Sequence, residues 1–173
     1  PLMIIGLGAV VLMVLSPIKY FSMEHFSLIS FGTILTVFGS NIYYFGELRT
    51  SFPFEEIFSK MIIDDSYAVY FDSILLSGAL VTSLVGTHYF QTKRHFKKEF
   101  FSLFLFSVFG MMLLVHANEL ITAFIALEIA SLSLYVMVGF QKNDDRRVEA
   151  SYQYLVLGSL SGIFFLLGTA LIY

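Results

Sequence analysis

Six long runs of the chain are almost free of charge: about Leu2 to Ser16, Phe26 to Gly46, Ala68 to Phe90, Phe100 to Val115, Glu119 to Phe140 and Ala150 to Tyr173. A bilayer core about 30 Å thick needs about 20 mostly apolar residues in helix. Helix is the only sensible form for such runs, because a lone strand leaves its backbone groups unsatisfied in lipid. Barrel strands alternate in polarity and run only about 9–11 residues. The composition agrees. Hydrophobic residues make up 57% of the 173 and charged residues 13%, against about 25% charged in a soluble domain. The expected fold is all-α and integral to the membrane, one domain over residues 1–173 with six transmembrane helices (about 2–16, 26–46, 68–90, 100–115, 119–140 and 150–173).

The first run is short and ends at Pro17. It lacks the basic segment and small-residue cleavage site of a signal peptide, the first cation being Lys19, and so reads as a membrane helix. The chain opens on Pro1 rather than Met, which suits initiator removal or a shortened chain.

All ten cations fall between the runs. Lys19, Lys93, Arg94, Lys97, Lys98, Lys142, Arg146 and Arg147 lie in the odd-numbered connections; only Arg49 and Lys60 lie in the even ones. The positive-inside rule places the odd connections in the cytoplasm or matrix and both termini outside. The second connection, Glu47 to Tyr67, is the only long one; within it Pro53 to Phe58 reads equally as a short amphipathic surface piece or an irregular loop.

Several functions are disfavoured. With no Cys there is no disulfide, thiolate metal site or iron–sulfur ligation by this chain. Four scattered His make a metal site improbable, and no phosphate loop, dinucleotide motif or haem attachment signature occurs. The net charge of -3 gives no footprint for nucleic acid. Twenty Phe and ten Tyr beside no Trp hint at an AT-rich genome, as many mitochondrial ones are.

Five polar positions in or near the runs have bland readings. Asp72 and Glu149, near helix starts, read as interfacial carboxylates reaching headgroups. Asn118 reads as an N-cap, with Glu119 in the first turn complementing the helix dipole. His116, alone at the end of the fourth run, reads more readily as structural than as a relay. Glu128 has no bland reading of equal weight. It lies nine residues into its run, about 13 Å along the axis. A charged residue there costs on the order of 2.5–3.5 kcal/mol on insertion scales, so such residues face protein or water and commonly move protons or ions. Ser131 and Tyr135 share its face at three and seven positions on, making a polar stripe. A protonated carboxyl bonded to a neighbouring helix is the structural alternative. Gly158-Ser159-Leu160-Ser161-Gly162 is a small-residue segment suited to close helix packing, and Glu149 and Gln153 stand four apart on one face ahead of it.

The segment His116-Ala-Asn-Glu-Leu-Ile-Thr-Ala-Phe-Ile-Ala-Leu-Glu128-Ile-Ala-Ser-Leu-Ser-Leu-Tyr135-Val-Met-Val-Gly139-Phe140 resembles the fifth helix of an antiporter-like subunit of proton-pumping NADH:quinone oxidoreductase, respiratory complex I. That subunit is called subunit 2 in mitochondria and N in bacteria. Val148-Glu149-Ala150-Ser151-Tyr152-Gln153-Tyr154-Leu155-Val156-Leu157-Gly158 resembles the start of its sixth helix, and Asp65-Ser66-Tyr67-Ala68-Val69-Tyr70-Phe71 the motif before its third. The resemblance is strong from about Asp65 to Tyr173 and weak before that.

It implies the N-terminal part of a fold of about fourteen helices, taking part in proton translocation coupled to NADH:ubiquinone electron transfer. Glu128 would be the proton-transfer residue, with Ser131, Tyr135, Glu149 and Gln153 as weaker candidates. It implies no cofactor bound by this chain. The partners would be membrane lipids and other membrane-arm subunits of complex I, including a chain carrying the absent C-terminal half and a lysine for Glu128. The location would be the mitochondrial inner membrane or, alternatively, the bacterial plasma membrane. One position departs: Gln153 stands where the family typically has Lys. That departure keeps a purely structural subunit in play, beside a subunit of a related multisubunit cation/proton antiporter.

Overall fold

The computed structural model describes residues 1–17, 23–47, 61–92, 98–140 and 145–173. The apolar runs satisfy their backbones as six helices: α1 (Leu2–Leu15), α2 (Met23–Glu47), α3 (Ser66–Thr92), α4 (Glu99–His116), α5 (Leu120–Val138) and α6 (Asp145–Ile172). Five are long and apolar enough to cross a membrane. The first helix has 14 residues, about 21 Å of rise and short of a hydrocarbon core on its own.

Helix α6 starts earlier than the apolar run suggests. Arg146 and Arg147 sit in its first turn rather than in a connection, behind Asp145. The Pro53–Phe58 segment lies outside the described residues, as do Arg49, Lys60 and five of the eight cations of the odd connections.

Helix α4 is the axis of the bundle. It packs against α1, α2, α3 and α5, and Phe101, Leu105, Val108 and Met112 are each at most 2% exposed. Around it the core gathers Ile5 and Leu12 of α1, Ile34 and Val37 of α2 and Leu76 of α3. The closest approach is to α5 at Gly110. A Cβ there would lie 2.5 Å from the Ala130 amide nitrogen and 2.9 Å from the Ala126 carbonyl oxygen, so only glycine lets these two backbones meet.

Helix α6 is set apart: among the described elements it packs only on α5, and Thr169 is its sole buried residue. Its inner edge is the small-residue segment, which packs against α5 of the same chain.

At one end of the bundle the connections before α3 and after α4 join. Ile62 and Ala117 form an antiparallel bridge. The Ile63 amide donates to the His116 carbonyl at 2.9 Å and the Asn118 amide to the Met61 carbonyl at 2.9 Å. This corrects the capping expectation. Asn118 is drawn into the bridge, and Glu119, with extended backbone, is the N-cap of α5 and makes no side-chain capping bond.

Candidate functional site

The polar stripe of α5 meets the glycine edge of α6. Gly162 faces Glu128: a Cβ on that glycine would fall 2.8 Å from Glu128 Oε1. Gly158 faces Tyr135 still more closely, its absent side chain leaving room for the phenol hydroxyl and ring. The two glycines, four apart, therefore shape sockets for the two residues seven apart on the opposing helix. Sequence spacing gave Gly158 and Gly162 only a packing role; that they face Tyr135 and Glu128 is set by how α6 packs on α5.

Glu128 is half-buried between α5 and α6. Among the described residues no cation pairs with it and no side chain or backbone donor bonds its carboxylate. Beyond the first turn of α6, neither α5 nor α6 contains a Lys or Arg. Tyr135 is 7% exposed, with its ring edge-on to Tyr154 at 4.7 Å between centroids. The Tyr135 carbonyl accepts from the Ser151 hydroxyl at 2.8 Å, tying the far end of the stripe to α6.

The other candidates stand apart from this seam. The Ser131 hydroxyl turns back on its own helix, donating to the Leu127 carbonyl at 2.7 Å and reaching the Glu128 carbonyl at 3.3 Å. Gln153 donates to Glu149 Oε1 at 3.2 Å on the exposed side of α6. That pair is joined to itself and not to Glu128. Glu149 is exposed.

Contrary to expectation, Asp72 does not reach out to headgroups. It is 0% exposed, because it falls on the inward stripe of α3 with Val69, Leu76 and Ala79, all buried. It faces His116, whose Nε2 is 3.5 Å from Asp72 Oδ2 and 3.2 Å from Asp64 Oδ1. The other ring nitrogen, Nδ1, lies 2.8 Å from the Met112 carbonyl. His116 is thus not alone, and three ionisable side chains meet where the Ile62–Ala117 bridge closes. The hydrogen bond from His116 holds the Asp64 carboxyl below its ordinary value of 3.8. Sequence reading missed this cluster, since its members come from three separate segments.

Comparison with known proteins fits this arrangement. Residues 117–173 match the family described as "NADH:quinone oxidoreductase/Mrp antiporter, TM". The chain is 32% identical over 174 residues to "NADH-quinone oxidoreductase subunit N 1" of Solibacter usitatus, covering 100% of this chain and 35% of that protein. It is 37% identical over 117 residues to "F(420)H(2) dehydrogenase subunit N" of Methanosarcina mazei, covering 68% of this chain and 24% of that protein. Its fold matches a chain of respiratory complex I from Thermus thermophilus with a TM-score of 0.78 at 26% identity, over 99% of this chain and 36% of that one. The chain spans about a third or less of the length of these relatives.

Proposed function

Because this chain belongs by sequence and fold to the family of subunit N of NADH-quinone oxidoreductase and corresponds to its N-terminal part, we propose that it takes part in proton translocation within a membrane-bound oxidoreductase. The observation that carries this reading is the seat of Glu128: a carboxylate deep in α5, turned toward α6 into a socket that a glycine keeps open. A carboxylate placed there at a cost on the order of 2.5–3.5 kcal/mol is retained for chemistry.

In this reading Glu128 is the proton-carrying group and Tyr135 the polar neighbour that bounds its seam. A lysine from the remaining part of the subunit, on this polypeptide or another, docks beside the α5–α6 pair and forms an ion pair with Glu128, directly or through water. Opening the pair shifts the two pKa values in opposite directions, so one proton is taken up or released per cycle. Electron transfer from NADH to quinone belongs to other subunits. The partners are the other membrane-arm subunits and lipid.

The relatives named above are bacterial or archaeal. They support a prokaryotic plasma membrane over the mitochondrial inner membrane. The cation distribution orients the chain with the α2–α3 and α4–α5 connections outside.

The test is Glu128→Gln in the assembled, membrane-embedded complex. The variant is expected to assemble and to pump fewer protons per electron, with slower quinone reduction through coupling, while Glu128→Asp retains part of the activity. Assembly with the full proton-to-electron ratio would make Glu128 structural.

A second reading, a structural subunit without pumping, has one observation in its favour. Gln153, at the position where the resemblance places a lysine, is exposed on α6 and among the described residues bonds only Glu149. The same experiment decides between the two.

A further inference from the structure

The enclosed carboxylate of Asp72 has no part in the Glu128 seam. Among the described residues neither of its buried oxygens has a hydrogen-bond partner, and the group it faces is an imidazole edge shared with a second carboxylate. The proton count of this cluster follows from its geometry. Met112 presents a carbonyl oxygen, which only accepts, 2.8 Å from His116 Nδ1. That nitrogen therefore carries a hydrogen. Were the imidazole neutral, Nε2 would present a bare lone pair to two carboxylate oxygens at 3.2 and 3.5 Å, three acceptors converging with nothing to share. The arrangement is stable only with one more proton, on Nε2 or on a carboxyl that donates to it.

The cluster also has a wet side and a dry side. Asp64 is 58% exposed, while His116 is 3% and Asp72 0% exposed. The backbone holds the wet side in place, because Asp64 directly follows the residues bridged to His116 and Ala117. Among the described residues the charged neighbours are few. Asp65 is occupied as the cap of α3, accepting from the Ala68 amide at 2.8 Å. On α2 the neutral Asn41 bonds the Val69 carbonyl one turn before Asp72 at 3.3 Å.

We propose that Asp64, His116 and Asp72 form a proton relay at the end of the bundle closed by the Ile62–Ala117 bridge, with His116 passing a proton between enclosed Asp72 and solvent-facing Asp64. The step is a pure proton transfer. The O–H bond of the Asp72 carboxyl breaks as Nε2–H forms; Nε2–H then breaks as an O–H forms on Asp64, which gives the proton to water. Nδ1–H stays on Met112 throughout, and no electron moves. As the aqueous terminus of a pumping route the relay rests on the function proposed above; as a proton-holding site it stands by itself.

The experiment separates the two. In the assembled complex with ¹⁵N-labelled histidine, one imidazole resonance, identified by its loss in His116→Gln, is expected to titrate. Asp64→Asn, a change at an exposed side chain that leaves the core intact, is expected to displace that midpoint by about one pH unit or more, the effect of a charge within about 4–6 Å. A protonated-carboxyl infrared band is expected to vanish in Asp72→Asn. An imidazole that does not titrate, or an infrared band unchanged in Asp72→Asn, overturns the site. Proton-to-electron ratios of His116→Gln and Glu128→Gln, measured side by side, then decide the role. A fall in both supports the relay. A fall in Glu128→Gln alone overturns its part in pumping. Should Glu128→Gln pump fully, the function proposed above fails, while the titrations still decide the site.

Discussion

Replacing Asp64 tests the cluster through stability as well as titration. Its carboxyl is held below 3.8 in the folded chain by the hydrogen bond from His116. The unfolded chain therefore binds this proton more readily than the folded one. The stabilisation is complete above pH about 4 and is lost as pH falls through the lowered value. The thermal midpoint is expected to fall on acidification below pH 4, and to fall less in Asp64→Asn. The effect is small, since Asp64 is 58% exposed and solvent screens such pairs. Monitoring helix content against temperature at several pH values checks it. Glu128 was legible in the sequence because one charge in a long apolar run has few explanations. The Asp72 cluster was not. Asp64 and His116 are 52 residues apart, and nothing local distinguishes an aspartate on the inward stripe of α3 from one that reaches the headgroups.

At the scale of elements, glycines decide which helices meet and where. Gly110→Ala sets a methyl against the backbone of α5, 2.5 Å from the Ala130 nitrogen. Backbone cannot turn aside as a side chain can. A loss of about 1–3 kcal/mol is expected, seen as a lower thermal midpoint. Gly168→Ala is the contrast: nothing lies within 4 Å of its Cβ. It should be neutral or gain up to about 1 kcal/mol from helix propensity. Gly158→Ala must push the buried Tyr135 ring off α6, and it is expected to lower both stability and proton pumping, read by thermal midpoint and proton-to-electron ratio. The helices themselves could be read from hydropathy, because a run of about 20 apolar residues leaves few other folds. Their ends were harder to read. Arg146 and Arg147 extend α6 into a polar turn ahead of its apolar run, and Asn118 gave up its cap to a bridge formed with distant residues.

For the whole molecule, orientation is the claim most open to a direct measurement. A chain without Cys accepts single introduced cysteines cleanly. Met61→Cys, exposed beside the bridge, and Glu99→Cys, exposed at the opposite end of α4, mark the two ends of the bundle. In sealed membranes an impermeant thiol reagent added outside is expected to label the first and spare the second. The reverse pattern would invert the topology.

The Ile62–Ala117 bridge also bears on biosynthesis. Its two sides are separated by the whole of α3 and α4, with the chain between them running across the bilayer and back. Neither side can meet the other until the ribosome has delivered residue 118 and the insertion machinery has passed the second of those helices. Until then the start of α3 has no fixed neighbour for Asp72, and a carboxylate waits in the membrane without its imidazole. The arrival of α4 is thus expected to secure the start of α3. Chains arrested while Asn118 is still inside the ribosome should hold α3 less firmly than chains arrested after Asn118 has emerged and α4 has entered the membrane.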